Sequence, residues 1–163
     1  MRIIFQDIDG PLIPHRMYFH GGRWYDPAVK SFIFDPIAVG MVNALCQQCD
    51  AKIVFNSAHN VNPQETMQHQ ARINNLVHMH EDCTTIFPNG ADRLGGIHDW
   101  LDRHMGEVES WVVIDDMDVG TSKQVKVDYN MGMTLQNFAD AHMILTGKPW
   151  VPPLFISQAD KIE

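Results

Sequence analysis

The chain has 163 residues, 45% of them hydrophobic, which is enough for one well-buried core but leaves little room for a separate second domain. Twelve Lys and Arg against 20 Asp and Glu give a formal net charge of −8, which argues against the broad basic footprint of a protein that grips duplex nucleic acid. No apolar stretch is long enough to cross a membrane.

Residues 2–6 predict a short buried strand that ends in Asp7-Ile8-Asp9-Gly10. In extended backbone alternate side chains point the same way, so Asp7 and Asp9 can reach one small volume beyond the strand's C-terminal end. Carboxylates that close repel unless a proton or cation lies between them, and a magnesium ion is the usual remedy. Gly10 lets the chain turn sharply there. The same residues also suit an acidic turn, and taken alone the two readings are about even. A loop of about two dozen residues follows, rich in aromatic and basic groups (His15, Arg16, Tyr18, His20, Arg23, Trp24, Tyr25). Starting directly behind the carboxylates, it is expected to overhang them as a partial lid, with Trp24 or Tyr25 available to stack on a base. A hairpin turning at Gly21-Gly22, with residues 17–19 and 23–25 as strands, is the plainer expectation, and the two are compatible.

Asp35-Pro36 predicts a helix start. The helix places Ile37, Met41, Val42, Leu45 and Cys49 at core spacing. Cys46 and Cys49 have CxxC spacing, but no second pair exists, so they are expected in the core. Three cysteines and no leader-like segment predict a reducing cytoplasm. A second strand at 52–56 ends in Ser57, whose hydroxyl can donate to a phosphate oxygen. Helical spacing of His69, Ile73, Leu76, Val77 and His80 predicts a helix near 64–79, with a short strand around 84–87 after it. His80 and Cys83 lack further ligands at a recognised zinc spacing, so a zinc site is not expected.

Arg93 opens a predicted helix near 94–104. A third apolar strand, 111–114, ends in Asp115-Asp116. A further strand at 125–127 and a helix near 134–144 complete the alternation. Such βα order points to an α/β fold with a parallel sheet covered on both faces. The proline-bearing tail from Lys148 to Glu163 is expected either to pack on the surface or to mediate self-association. Three strands thus end in an acid pair, a hydroxyl and an acid pair, with a cation ahead of the third.

In this order, Asp7-Ile8-Asp9-Gly10, Ser57, Arg93 and Asp115-Asp116 resemble the haloacid dehalogenase (HAD) superfamily of magnesium-dependent phosphatases and phosphotransferases. Over roughly residues 1–145, with Phe34-Asp35-Pro36 and Ile97-His98-Asp99-Trp100-Leu101 among the matching segments, the chain is similar to a small capless branch. That branch is known from RNA-repair assemblies and from phage and bacterial single-domain proteins. The resemblance implies a Rossmann-like catalytic domain over 1–147 without a sizeable cap, with 11–34 as a partial lid and 148–163 as a tail. It implies Asp7 as the nucleophile that becomes an aspartyl phosphate and Asp9 as the general acid and then base. Ser57 and Arg93 would hold phosphoryl oxygens, and Gly10, Ala58, His59 and Trp24 would complete the substrate contacts. Asp116, supported by Asp115, would hold magnesium together with Asp7 and the Asp9 carbonyl.

The chain departs from the branch after Ser57, where Ala58-His59-Asn60 replaces a second hydroxyl followed by Trp-Arg. A phosphate contact is lost there, and His59 is more simply read as a solvated loop residue. Pro11 would stiffen the turn behind Gly10. The function expected is phosphomonoester hydrolysis on a nucleotide or a nucleic-acid terminal phosphate. The alternatives are a phosphatase of small sugar or metabolite phosphates, a non-catalytic binding protein on the same fold, and a metal-dependent nuclease.

Overall fold

The computed structural model describes residues 1–20, 25–26, 28, 31–58, 63–85 and 92–152. The first apolar run is strand β1 (Arg2–Gln6), and two short strands, β2 (Tyr25–Asp26) and β3 (Ser31–Phe32), pair antiparallel as a small hairpin. The main sheet is completed by β4 (Ala51–Phe55), β5 (Ser110–Asp115) and β6 (Gln124–Lys126). Its order is β4-β1-β5-β6 and every pairing is parallel, so β1 lies inside the sheet with Ile4 opposite both Ile53 and Val112.

The helices are α1 (Pro36–Cys49), α2 (Pro63–Ile73), α3 (Arg93–Arg103) and α4 (Leu135–Thr146). Side chains alternate across the sheet with period two, as a strand requires. Ile4, Ile53, Phe55, Val112 and Ile114 enter one core with α1, α4 and the inner side of α2. Ile3, Phe5, Val54 and Val113 enter the other with Ile97 and Trp100 of α3. Strands buried on both faces read as unbroken apolar runs, which is why the sequence displays them so plainly. Cys46 and Cys49 are buried along α1.

The helix ends follow from local chemistry. Asp35 caps α1 by accepting from Ile37 N at 3.0 Å, with Pro36 in the first helical position where its missing N–H costs nothing. Thr134 and Asn137 form a capping box at α4, which Gly147 closes at φ 70°.

Three expectations are corrected. Helix α2 ends at Ile73 rather than running on to 79. Asn75 takes a left-handed conformation (φ 60°), which Asn tolerates better than most residues. The chain then lies along β4, where Ile53 N donates to His78 O and His80 N to Ile53 O, both at 2.8 Å. Pairing with a strand edge outweighs helical spacing there. Thr84 N continues beside β4 with a 3.2 Å bond to Phe55 O, but residues 84–85 form no strand, and 86–87 lie outside the described residues.

Residues 17–19 are not a hairpin strand either, because His15–His20 is a 3-10 helix. His15 N and Arg16 N are tied instead to the Tyr129 and Asn130 carbonyls at 2.9 and 3.1 Å. The hairpin forms further along, where Gln70 Oε1 accepts from Phe32 N at 2.9 Å and Asn74 Nδ2 donates to Phe32 O at 2.8 Å. The turn expected at Gly21-Gly22 lies outside the described residues. Among the described residues no helix is long and apolar enough to cross a membrane.

His80 is nearly buried beside Trp100 and His104, and its Nδ1 accepts a 3.0 Å bond from Asp82 N. Burial lowers its pKa below the ordinary 6.5, with His104 and Lys52 adding to the effect and Asp82 and Glu81 opposing it. The folded protein therefore binds this proton less readily than the unfolded chain. The contribution is complete above the unfolded pKa and declines as pH falls below about 6.5. Urea unfolding of wild type and His80→Gln between pH 8 and 5 should show wild type losing stability faster on acidification; parallel curves would refute this.

Candidate active site

Because the sheet is parallel, β1, β4 and β5 all end at one edge, where open α/β sheets bind ligands. Asp7 follows β1 directly, and its N–H donates to Ile114 O at 3.0 Å, which holds the strand end against β5. Asp115 closes β5 and Asp116 follows it. Carboxylate oxygens of Asp7, Asp115 and Asp116 lie within 4.8 Å of one another. Asp7 is 1% exposed and Asp115 wholly buried. Asp9 is half-buried, and its carboxylate stands outside this group of three. Main-chain bonds of Leu12 and Ile13 to Ile8 O and of Gly10 to Ile13 O fold residues 8–13 into a tight turn.

Arg93 reaches this cluster from the first position of α3, seated by Asp92, which caps the helix by accepting from Gly95 N at 2.7 Å. A cation in a helix's first turn opposes the helix dipole, so its favourable interactions must come from the carboxylates it faces. Its Nη1 lies 2.5 Å from Asp115 Oδ2 and 3.0 Å from Asp7 Oδ2. The first contact is a hydrogen bond. The second is an ion pair without good hydrogen-bond alignment, and among the described residues neither Asp7 oxygen has a well-aligned hydrogen-bond partner. Asp115 Oδ1 also accepts from Met117 N at 2.8 Å.

Burial pushes the Asp7 carboxyl well above the ordinary 3.8, and the Asp115 charge pushes further, while Arg93 opposes both. Burial likewise raises Asp115. Three carboxylates facing one guanidinium carry excess negative charge in a poorly solvated place. A hard divalent cation suits such an all-oxygen set, and Asp7, Asp115 and Asp116 are the side chains that could hold one.

The remaining expected residues fall as follows. Ser57 is nearly buried just past β4, and Asn56 before it donates its N–H to Gln6 O at 2.9 Å, so Ser57 emerges at the strand edge beside Asp7's. Ala58 is exposed next to it. Trp24 and His59 lie outside the described residues. Gly10 has φ +79°, and a Cβ there would stand 2.8 Å from Asp116 Cβ. Its lack of a side chain is what lets Asp116 approach β1's turn.

Sequence reasoning missed two features of this edge. Asn56 is buried and accepts from Thr84 Oγ1 at 2.8 Å, bracing the loop beside Ser57; an Asn ending an apolar run was the available signal. The loop 128–132 packs on residues 14–16, and its signal was the turn-like Asp128-Tyr129-Asn130-Met131-Gly132.

Gly10→Ala should therefore cost about 1–2 kcal/mol for the left-handed backbone alone, and more for the displaced Asp116. A fall in the urea midpoint at unchanged slope is the expected reading, and wild-type stability would contradict it.

Comparison with curated proteins and with solved structures returned no match. A family model described as the HAD domain in Swiss Army Knife RNA repair proteins matches residues 3–138, from the start of β1 into α4. The match spans all the strand ends just described. The chain thus belongs to the HAD-domain family of Swiss Army Knife RNA repair proteins, whose wider superfamily is one of phosphatase-type hydrolases.

Proposed function

We propose that the protein is a magnesium-dependent phosphomonoesterase that acts through an aspartyl phosphate on a nucleotide or a nucleic-acid terminal phosphate. The observation that carries this reading is Asp7 itself: a buried carboxylate at the sheet's C-terminal edge, whose oxygens have no well-aligned hydrogen-bond partner among the described residues, with a guanidinium 3.0 Å away. A carboxylate not tied up in well-aligned hydrogen bonds retains its nucleophilicity, and one beside a fixed cation can meet an anionic phosphate. Magnesium, held by Asp7, Asp115 and Asp116 with the Asp9 carbonyl, would supply neutralisation of the negative charge brought in by the phosphoryl oxygens.

In the first step an Asp7 oxygen forms a bond to phosphorus as the ester oxygen leaves, and Asp9 gives that oxygen its proton. In the second step Asp9, now ionised, takes a proton from water, whose oxygen bonds to phosphorus and releases Asp7 as a carboxylate. Arg93 and the Ser57 hydroxyl hold the phosphoryl oxygens in both steps, and Arg93 offsets charge in a loose transition state. Asp9's half-burial outside the three-carboxylate cluster suits a group that exchanges protons with a leaving oxygen and with water. The family supports a phosphate on nucleic acid as the substrate class, since its members occur in RNA repair proteins. The net charge of −8 favours a nucleotide or strand end over extended duplex. Residues 11–20 and the β2–β3 hairpin act in this reading as a partial lid that leaves room for a polymer end.

Phosphate release should be measured from nucleoside 5′- and 3′-monophosphates, phosphate-ended oligonucleotides and sugar phosphates, with magnesium or with EDTA. Magnesium-dependent release is expected from the nucleotide or oligonucleotide set, reduced about 10³-fold or more in Asp7→Asn. No release from any substrate, or full activity in Asp7→Asn, would overturn the proposal.

A further inference from the structure

Beside the carboxylate edge lies an aromatic cluster that the mechanism does not use. Phe19 is 83% exposed, Tyr18 46% and Tyr129 43%, so folding gains little from burying them. A single exposed aromatic ring is ordinary, but three gathered around one imidazole at the rim of a site are not. The His15 ring centre lies 5.3 Å from Tyr18's and 5.9 Å from those of both Phe19 and Tyr129. Tyr18 and Phe19 meet His15 at steep angles of 67° and 58° rather than stacking on it.

Two loops build this cluster, and both leave the C-terminal edge of the sheet. One continues from Gly10 through Pro14 into the 3-10 helix, and the other follows β6. They are tied by the bonds of His15 N and Arg16 N to Tyr129 O and Asn130 O and by a 3.2 Å contact of His15 Nδ1 with Asn130 Oδ1. The loops touch so closely that a Cβ on Gly132 would lie 2.8 Å from Pro14 Cβ and 3.5 Å from Gly10 O. The platform is therefore continuous with the turn that carries Asp9 and Gly10. Partial burial raises the Tyr129 hydroxyl's pKa, and the charges of Tyr18, Asp9 and Asp116 add to it, which puts that ring within the field of the acidic site.

We propose that Tyr18, Phe19 and Tyr129 form a stacking platform for the base of a nucleoside phosphate whose phosphate lies at Asp7. The inference rests on the reading of Asp7 as the phosphate end of the site and names the group that lies beyond it. A base suits this surface better than a plain phenyl ring, because the exposed Asn130 amide stands among the rings as a polar edge that a base can hydrogen-bond. Sequence-tolerant stacking of this kind is how proteins hold unpaired bases. With a charge of −8 the chain lacks the cations for a long backbone, so the occupant is one nucleotide, free or at a strand end.

The test compares wild type with Phe19→Ala, Tyr129→Ala and Tyr129→Phe. Substrates are nucleoside 5′- and 3′-monophosphates, phenyl phosphate and acetyl phosphate. For each Ala variant the ratio of kcat/KM on nucleoside monophosphates to that on acetyl phosphate should fall about tenfold, mainly through KM, and Tyr129→Phe should recover it. Unchanged ratios overturn the platform, as does an equal loss on phenyl phosphate. A second arm separates this inference from the catalytic one. Asp7→Asn protein, with and without each Ala change, is titrated with 2-aminopurine riboside 5′-monophosphate. Fluorescence quenching that weakens about tenfold in the Ala variants supports the platform even if no substrate is hydrolysed, whereas absent or unaltered quenching overturns it even if catalysis stands.

Discussion

Arg93 Nη1 stands 2.5 Å from Asp115 Oδ2 and 3.0 Å from Asp7 Oδ2, one guanidinium between two carboxylates that have almost no solvent. Removing such charges from water costs several kcal/mol per ion, and their mutual attraction repays this only with good geometry and further hydrogen bonds. The repayment here is incomplete. Among the described residues Asp7 has no well-aligned hydrogen-bond partner, Asp116 adds a third negative group, and burial raises the pKa of both Asp7 and Asp115. Perturbed, incompletely paired groups of this kind cluster at functional sites, and under the proposed function a cation, together with an anion shared with Arg93, would complete this one.

The architecture exists to hold that unfavourable cluster in place. Strands β1 and β5 are each hydrogen-bonded on both sides, so Asp7 and Asp115 are carried by the two interior strands of the sheet. On one face Phe5 packs edge-on against Trp100 of α3, with ring centres 5.5 Å apart, and the same helix presents Arg93. Asp7 and Arg93 are thus coupled through one packed core. On the other side, Arg16 pairs at 2.5 Å with Asp35, whose second oxygen caps α1, so the segment that forms the rim is anchored to the helix layer. Rigid elements position the charged groups, and loops held by main-chain bonds surround them.

The four strands of the main sheet, the parallel α/β architecture, the cap at Asp35 and the acidic strand ends were legible in the sequence. Each is written in residues close together: an unbroken apolar run, an Asp-Pro pair, two carboxylates two residues apart. The overextended α2 shows where such reading stops. Leu76, Val77 and His80 keep helical spacing, yet the chain leaves the helix at Ile73 because the edge of β4 offers partners for its main chain. The hairpin expected at 17–19 failed for a related reason, since His15 and Arg16 just before it are held by a loop far along the chain and the segment winds into a 3-10 helix.

The sequence by itself determined which residues could do chemistry and which runs would be buried, because composition and periodicity are local properties. Only the tertiary structure decided that Asp7, Asp115 and Arg93 share one ion-pair cluster while the Asp9 carboxylate stands apart from the three acidic groups. It alone brought His15 to Asn130, 115 residues away in the chain, and so placed Tyr129 beside Tyr18 and Phe19 at the rim. Such contacts depend on how separate loops dock across a sheet edge, and the free energy of that docking comes from the assembled fold rather than from any segment within it.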